Sequence, residues 1–292
     1  MTGSNILETY TLEANTMEAN MPDKYAVFGN PVTHSRSPQI HAEFAAATSQ
    51  NLSYEKQLVA IDGFEVAADE FFASGGKGLN ITLPFKQEAY SYAARLTSRA
   101  RRAGAVNTLT MQADGTVIGD TTDGVGMVAD MVQNLGWQIR AKRVLVLGAG
   151  GAVRGILAPL MAEQPQHVVI ANRTLEKALQ LSKGFSELGY ILGCGFDMLP
   201  GQEFDLVING TSASLAGGMP PLPDDLIPSG SACYDMMYAA EPTPFMKWGQ
   251  RLGADTADGL GMLVEQAAES FYIWRQVKPQ TATVIAAQRK SL

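Results

Sequence analysis

The feature that most constrains this chain is a short apolar strand that runs directly into a glycine-rich turn. Val144-Leu145-Val146-Leu147 is followed by Gly148-Ala149-Gly150-Gly151-Ala152, and Ile156, Leu157 and Leu160 then recur with helical spacing. A helix that starts at such a turn lets its free N–H groups and its dipole attract a pyrophosphate. The sequence therefore predicts a Rossmann-type unit in which the five turn residues contact the phosphates of a dinucleotide.

The end of the next predicted strand indicates which dinucleotide binds. Sites that prefer NAD carry an acidic residue there, about 20 residues after the turn, to hold the ribose hydroxyls. This chain has Ala171-Asn172-Arg173-Thr174, and Lys177 lies one helical turn further on. Arg173 suits a 2′-phosphate, whose oxygens Asn172 and Thr174 can bind, and Lys177 adds a positive charge. The predicted cofactor is NADP(H), although Val153 stands at the third glycine position of the usual fingerprint.

Strands and helices alternate along the chain, which predicts an α/β fold. The length of 292 residues favours two domains. We expect residues 23–122 with 259–292 to form an α/β substrate-binding catalytic domain with a mainly parallel sheet, to which the C-terminal helices return. We expect residues 123–258 to form the Rossmann-type NADP-binding domain. The polar stretch 1–22 is predicted to be a flexible extension.

Two helix starts bear on the site. Ser37 followed by Pro38 predicts a helix with a serine N-cap. From about Asp123, the residues Val125, Val128, Val132 and Leu135 recur with helical spacing and predict a helix with this apolar face.

Composition and charge exclude several classes of partner. The formal net charge is −7, so no basic surface for nucleic acid or an anionic membrane is expected. There is no uncharged apolar stretch of roughly 18 residues and no signal-peptide pattern, so we expect a cytoplasmic protein. The two cysteines, Cys194 and Cys233, are too far apart in sequence to suggest a zinc site and are expected to be buried thiols. The predicted partner is a small molecule, and the sequence leaves open a monomer or a homodimer.

Polar residues cluster at predicted strand and helix ends ahead of the Rossmann unit. Ser35 and Ser37 flank a helix start, where hydroxyl and N–H groups can converge on a carboxylate. Further residues that suit a polyol are Asn80 and Thr82 on one side of a strand, Lys86 after it, Asn107 on the next strand and Asp123 where the domains join. Taken singly, each has a plainer interpretation, such as Ser37 or Asp123 as a helix cap and Lys86 as a solvated surface charge.

Taken together, these segments resemble the shikimate dehydrogenase family. The resemblance runs in family order from about Tyr25 to Gln266. It is carried by Gly29-Asn30-Pro31, His34-Ser35-Arg36-Ser37-Pro38, Asn80-Ile81-Thr82-Leu83-Pro84-Phe85-Lys86, Gly104-Ala105-Val106-Asn107-Thr108, Thr122-Asp123-Gly124, the glycine-rich turn, Asn172-Arg173-Thr174, Tyr234-Asp235-Met236 and Asp258-Gly259-Leu260-Gly261-Met262-Leu263-Val264-Glu265-Gln266.

The resemblance implies an oxidoreductase that reversibly reduces 3-dehydroshikimate to shikimate with NADPH, in the pathway to chorismate and the aromatic amino acids. It implies that Ser35 and Ser37 bind the substrate carboxylate and that Lys86 and Asp123 are the catalytic pair. Met236 and Gly259 would hold the nicotinamide end of the cofactor. The residues implied to bind substrate hydroxyls are Asn80, Thr82, Asn107, Asp123, Tyr238 and Gln266.

Three alternatives differ in identifiable residues. A glutamyl-tRNA reductase needs a nucleophilic cysteine in its N-terminal domain, and this chain has no cysteine before Cys194. A quinate dehydrogenase of dual specificity differs by one substrate hydroxyl, and an NAD-linked version would carry an acidic group near Arg173. A non-catalytic NADPH-binding sensor would lack the Lys86 and Asp123 pair, which is present here.

Overall fold

Alternating strands and helices build two six-stranded sheets in the computed structural model, which describes residues 21–211, 213 and 218–292. The extension expected at 1–22 lies outside the described residues except for its last two. The first sheet has the order β2-β1-β3-β5-β6-β4 and contains β1 (Asp23–Gly29), β2 (Leu52–Leu58), β3 (Gly76–Ile81), β4 (Arg95–Leu96), β5 (Thr108–Met111) and β6 (Val117–Asp120).

The first sheet is mainly parallel, as predicted, with one reversed strand. β1 pairs in parallel with β2 and β3, and β4 pairs in parallel with β6. β5 is antiparallel to both β3 and β6, because it is joined to β6 by a tight turn in which the N–H of Gln112 donates to the carbonyl of Thr116. Because β1 and β3 run parallel to each other, their carboxyl ends lie side by side, where an α/β sheet commonly binds a ligand.

The second sheet is parallel throughout and confirms the Rossmann-type prediction. Its order is β12-β11-β10-β7-β8-β9, so β7 lies between β8 and β10 and the chain changes direction across the sheet at that point. The strands are β7 (Arg143–Leu147), β8 (His167–Ala171), β9 (Ile191–Cys194), β10 (Leu206–Asn209), β11 (Ala232–Asp235) and β12 (Asp255–Asp258). The edge strand β12 was not predicted, since its residues Asp-Thr-Ala-Asp contain no apolar run.

Ten α-helices of the described chain cover these sheets. They are α1 (Ser37–Thr48), α2 (Phe64–Ala73), α3 (Lys86–Tyr92), α4 (Ser98–Ala103), α5 (Asp123–Ala129), α6 (Gly151–Ala162), α7 (Leu175–Phe185), α8 (Pro244–Arg251), α9 (Leu260–Arg275) and α10 (Ala282–Lys290). The short α8 was not predicted from the sequence.

The start of α1 differs from the expected serine cap. The helix begins at Ser37 itself, Arg36 takes the N-cap position, and no side chain caps it. The hydroxyl of the preceding Ser35 instead accepts a 3.3 Å hydrogen bond from the N–H of Ser37. The Ser37 hydroxyl is therefore not used as a cap.

The apolar face predicted after Asp123 is also wrong in part. The helix forms, but its buried apolar residues are Met127 and Met131, whereas Val132 and Leu135 are 38% and 37% exposed. The segment Asp130–Asn134 that follows α5 is a π-helix. Met127 and Met131 are four residues apart and define the buried face, so Val132, one residue after Met131, lies about 100° further round the helix. The π turn then shifts the residues after it further still.

The C-terminal helices return to the first sheet, as predicted. Val264 and Phe271 of α9 form a buried cluster with Ile40 and Phe44 of α1. The ring of Trp274 stacks on Tyr25 of β1 at a centroid distance of 4.6 Å. Nearer its N-terminus, at Gln266, α9 crosses α5. The crossing is so close that a Cβ added to Gly126 of α5 would lie 2.5 Å from the backbone nitrogen of Gln266. Only glycine fits at that crossing.

We expect Gly126→Ala to destabilise the protein by about 1–3 kcal/mol, because the methyl group pushes against backbone that cannot rotate away. The matched control is Gly184→Ala on the exposed side of α7, where an added Cβ meets nothing within 4 Å. That change should stabilise the protein by up to about 1 kcal/mol through helix propensity. Urea unfolding measures both, and equal effects of the two substitutions would contradict the close crossing of α5 and α9.

Candidate functional site

A polar cleft of about 360 Å³ lies at the carboxyl ends of β1 and β3. Its walls also include the segment after β11 and the first turns of α9. All the predicted substrate-binding residues line it, together with the two predicted nicotinamide contacts. They are Ser35, Ser37, Asn80, Thr82, Lys86, Asn107, Asp123, Tyr238 and Gln266, with Met236 and Gly259.

The only ion pair among the described residues that line this cleft joins Lys86 to Asp123. The Lys86 ammonium lies 2.5 Å from Oδ2 of Asp123, and the two side chains are 28% and 19% exposed. The other carboxylate oxygen, Oδ1, accepts a 2.8 Å hydrogen bond from the amide of Asn107. Thr122, not Asp123, is the N-cap of α5, so the interpretation of Asp123 as a cap is wrong. The pair instead directs a lysine ammonium, held by an anchored carboxylate, into the cleft.

The amide of Asn107 anchors this carboxylate and is itself fully engaged. Its oxygen accepts from the N–H of Thr122 at 2.9 Å and from the hydroxyl of Thr108 at 2.8 Å. Its NH₂ group donates to Asp123 at 2.8 Å and to the hydroxyl of Thr122 at 2.9 Å. Two donors and two acceptor sites are all that an amide offers. Asn107, only 3% exposed, therefore fixes the position of Asp123 in this arrangement.

Asn80 is held in a similar way by residues that the sequence analysis missed. Its oxygen accepts a 2.7 Å hydrogen bond from the hydroxyl of Tyr54 on β2, and its NH₂ group donates to the hydroxyl of Ser270 at 2.9 Å. Ser270 is one helical turn after Gln266 on α9, and this spacing was the signal that could have found it. Tyr54 lies in an exposed edge strand and gave no such signal.

The serine pair lies at the start of α1 and lines the cleft, as does Tyr238. The hydroxyl oxygens of Ser35 and Ser37 are 3.2 Å apart, close enough for one anion to contact both. Burial raises the pKa of Tyr238, so its hydroxyl keeps its proton at neutral pH. Gln266 faces the same space, with its side-chain oxygen 3.3 Å from the amide of Asn107.

A second cavity, of about 510 Å³, lies over the glycine-rich turn. Gly148, Ala149, Gly150, Asn172 and Arg173 line it. The remaining predicted cofactor residues follow these on the helices: Gly151 and Ala152 open α6, Thr174 is the N-cap of α7, and Lys177 is exposed in the first turn of α7.

The turn has the space and the polarity for a pyrophosphate. Gly148 has a φ of +104°, a conformation that favours glycine, and a Cβ at Gly150 or Gly151 would meet nothing within 4 Å. The N–H groups of the first turn of α6 have no partner within the helix and face this space. Val153, at the third glycine position of the fingerprint, is fully buried, and its side chain would collide at 2.4 Å with a Cβ on Gly210. Gly210 thus makes the room that the missing glycine would have supplied.

Met236 connects the two cavities. It lines the polar cleft, and its sulfur would lie 3.2 Å from a Cβ on Gly210, which lines the second cavity. Gly259 lies against the other side of Met236, where a Cβ would be 2.3 Å from the Met236 carbonyl oxygen. Met236 therefore lies between the cavity over the turn and the cleft that holds the Lys86 ammonium. The residues present fit NADP(H).

We expect Arg173→Ala to raise the KM for NADPH about tenfold or more, because it removes a charge-assisted contact to the 2′-phosphate. The KM for NADH, which has no such phosphate, should change little. Steady-state kinetics with both cofactors measure this, with Lys183→Ala in the last turn of α7 as a control for loss of a positive charge. An equal rise for both cofactors would contradict the assignment.

His41 stands behind the substrate wall and is fully buried. Its ring stacks on Tyr54 at 4.1 Å, and neither ring nitrogen has a hydrogen-bond partner among the described residues. Burial lowers the pKa of His41 to about 3, and the neighbouring Asn80 offsets only part of that effect. His41 is therefore neutral in the folded protein and becomes protonated only when the chain unfolds at acidic pH.

Between the unfolded pKa of about 6.5 and the folded value, the unfolded chain binds the extra proton, so stability falls as pH falls. Acidification from pH 7 to pH 5 should cost about 2 kcal/mol through His41. His41→Phe should abolish this part of the pH dependence, whereas His34→Gln at an exposed position should retain it. Urea unfolding at both pH values measures it, and an unchanged pH dependence in His41→Phe would refute the neutral buried state.

A parallel sheet with a glycine-rich turn at its switch point, beside a cleft with a lysine–aspartate pair, defines a dinucleotide-dependent oxidoreductase. The described residues contain no group of three metal-ligating side chains that could hold an ion. Within the same part of the chain, no helix has the length and apolar character needed to cross a membrane.

Comparisons with known proteins define the class further. Residues 27–109 match the family model of the shikimate dehydrogenase substrate binding domain, residues 130–216 that of shikimate/quinate 5-dehydrogenase, and residues 259–287 that of the shikimate 5'-dehydrogenase C-terminal domain. The NADP(+) shikimate dehydrogenase of Cellvibrio japonicus is 62% identical over 273 residues, which cover 93% of this chain and 99% of the relative. The chain belongs to the shikimate dehydrogenase family.

Solved structures agree with this assignment. The Ael1 enzyme of Pseudomonas putida superposes with a TM-score of 0.86 at 44% identity, covering 91% of this chain and 97% of that one. Shikimate 5-dehydrogenase of Thermus thermophilus, solved with NADP(H) and shikimate, gives a TM-score of 0.82 at 30% identity and covers 92% of this chain and all of that one.

Proposed function

We propose that this protein catalyses the reversible, NADPH-dependent reduction of 3-dehydroshikimate to shikimate. The observation that carries the proposal is the Lys86–Asp123 pair, 2.5 Å apart, in a polyol-sized cleft that is separated by Met236 from the cavity over the glycine-rich turn. The NADP(+) shikimate dehydrogenase named among the relatives, at 62% identity over nearly its whole length, supports the same reaction.

The bound cofactor supplies a hydride for the ketone carbon. The Lys86 ammonium donates a hydrogen bond to the ketone oxygen, stabilises its developing negative charge and delivers the proton that completes the alcohol. In the oxidation direction, neutral Lys86 takes the hydroxyl proton. Asp123, held by Asn107, orients the ammonium and binds a neighbouring hydroxyl of the ring.

The two ends of the substrate meet different chemistry. Ser35 and Ser37 present hydroxyl donors that suit the carboxylate. Hydroxyl and amide groups around the ion pair suit the ring hydroxyls, and Thr82, Tyr238 and Gln266 supply them directly. Asn80 and Asn107 contact a ring hydroxyl by exchanging one of their present protein partners for it. Met236 and Gly259 are assigned to the nicotinamide end, and the turn residues with Asn172, Arg173, Thr174 and Lys177 to the phosphates and the adenosine.

We also propose that the two sheets are separate domains, 23–122 with 259–292 and 123–258. The return of α9 and α10 to the first sheet supports this division. A cleft between two domains gives the substrate and the cofactor separate binding surfaces that meet at the ion pair.

The function is tested with shikimate and quinate as substrates and NADP and NAD as cofactors, by following absorbance of the reduced cofactor. Efficient turnover with shikimate and NADP alone is expected. Comparable activity with quinate would instead assign a dual-specificity quinate/shikimate dehydrogenase. Tight NADPH binding without any turnover would contradict the proposal and favour a sensor.

We expect Lys86→Met to lower kcat by at least about a hundredfold, in the range for loss of a positioned general acid. The dissociation constant of shikimate should rise far less, because the serines and amides that bind its ends remain. Asp123→Asn should show the same split with a smaller loss of kcat, since the ammonium is still present but loses its charged partner. Stopped-flow kinetics and calorimetric binding separate the two quantities, and loss of affinity without loss of kcat would make Lys86 a binding residue only.

A further inference from the structure

The cleft contains one positive charge that the lysine–aspartate pair does not explain. Arg36 lies between Ser35 and Ser37 in sequence and lines the same cleft. Lys86 and Asp123 neutralise each other at 2.5 Å. With His34 taken as neutral, the described residues that line the cleft carry a net charge of +1, and all of it comes from Arg36.

Among the described residues, no acidic group forms an ion pair with Arg36. Its guanidinium donates to the side-chain oxygen of Gln288 at 3.1 Å, to the hydroxyl of Ser291 at 2.6 Å and to the carbonyl of Ser291 at 3.0 Å. All of these acceptors are uncharged. The nearby carboxylate of Glu43 accepts from Gln288, and it forms no ion pair with Arg36 within 4.0 Å.

These contacts fix the guanidinium without cancelling its charge. They come from the last turn of α10 and from Ser291 just after it, so this segment holds the guanidinium while Arg36 lines the same cleft as the serine pair. The charge also reaches Tyr238, whose pKa it lowers against the larger opposing effect of burial and a further opposing effect of Asp258. Arg36 therefore places a positive charge at the part of the cleft that the serine pair and Tyr238 line.

We propose that Arg36 is a specificity-determining residue whose uncompensated charge selects ligands with a carboxylate at the serine pair over neutral ligands of the same shape. The inference rests on the proposed function, because the serine pair is there assigned to the substrate carboxylate. The serine hydroxyls alone can bind a carboxylate or a carboxamide, since a hydroxyl donates to either. Arg36 adds a Coulomb attraction that only the anion experiences, in a partly desolvated site where such attraction is stronger than in water.

The test is a cycle that changes the charge of the enzyme and the charge of the ligand independently. The kcat/KM for NADP-linked oxidation is measured with shikimate and with its neutral carboxamide, for the wild-type enzyme and for Arg36→Gln. We expect Arg36→Gln to lower kcat/KM for shikimate about tenfold and to leave the value for the amide within about twofold. Arg36→Lys, which keeps the charge, should retain most of the preference for the acid. Equal losses on both ligands, with the preference unchanged, would overturn the proposal.

Two controls separate charge from structure. Ser291→Ala removes one neutral partner of Arg36 and leaves its charge in place, so it should change the preference for the acid far less than Arg36→Gln does. Should Arg36→Gln fail to fold, the ionic-strength dependence of the wild-type enzyme decides the question. Its kcat/KM should fall with added salt for shikimate and not for the amide, and parallel dependences would overturn the proposal. A wild-type enzyme that is inactive on shikimate would refute the proposed function itself. An enzyme that is active on shikimate but shows no preference for the acid over the amide would refute only the role of Arg36.

Discussion

The hydrogen bonds of the Asn107 amide connect three parts of the chain that are far apart in sequence. Asn107 precedes β5, donates to Asp123 at the start of α5, and lies 3.3 Å from the side chain of Gln266 on α9. Because all four of its hydrogen-bonding sites are used, the amide has one favourable orientation, and that orientation fixes the Asp123 carboxylate. The position of the Lys86 ammonium depends on this carboxylate. A polar network with every member satisfied is rigid, and this rigidity provides a preorganised proton donor.

The charges of the cleft are unevenly distributed between the ion pair and Arg36. At one end, the Lys86–Asp123 pair has no net charge, so its ammonium can donate a hydrogen bond near Met236 without attracting the substrate carboxylate. At the other end, Arg36 gives a positive potential beside two hydroxyls. A substrate that carries one carboxylate and several hydroxyls matches this distribution in only one orientation. In the function proposed above, this distribution of charge orients the substrate so that its reacting carbon lies next to Lys86.

Much of this fold was predictable because its strongest signals are local. The strand before Gly148 and the helix after Gly151 need only their own residues, and Arg173 in place of an acidic residue already indicated NADP. The predictions that were wrong or missing depend on distant contacts. Val132 is exposed because the helix turns the side that carries Met127 and Met131 toward the core, and strand β12 forms from polar residues only because β11 lies beside it. Tyr54 reaches Asn80 through tertiary packing, which no spacing in the sequence of β2 could indicate.

The most direct test of the central claim, that one cleft brings the cofactor and the ketone together at Lys86, is to trace the transferred hydrogen. The enzyme would reduce 3-dehydroshikimate with NADPH deuterated at the transferable position of the nicotinamide, and the product would be examined by NMR. We expect one deuterium on the carbon that bears the new hydroxyl, in a single configuration. Product without deuterium at that carbon, or no product at all, would contradict it.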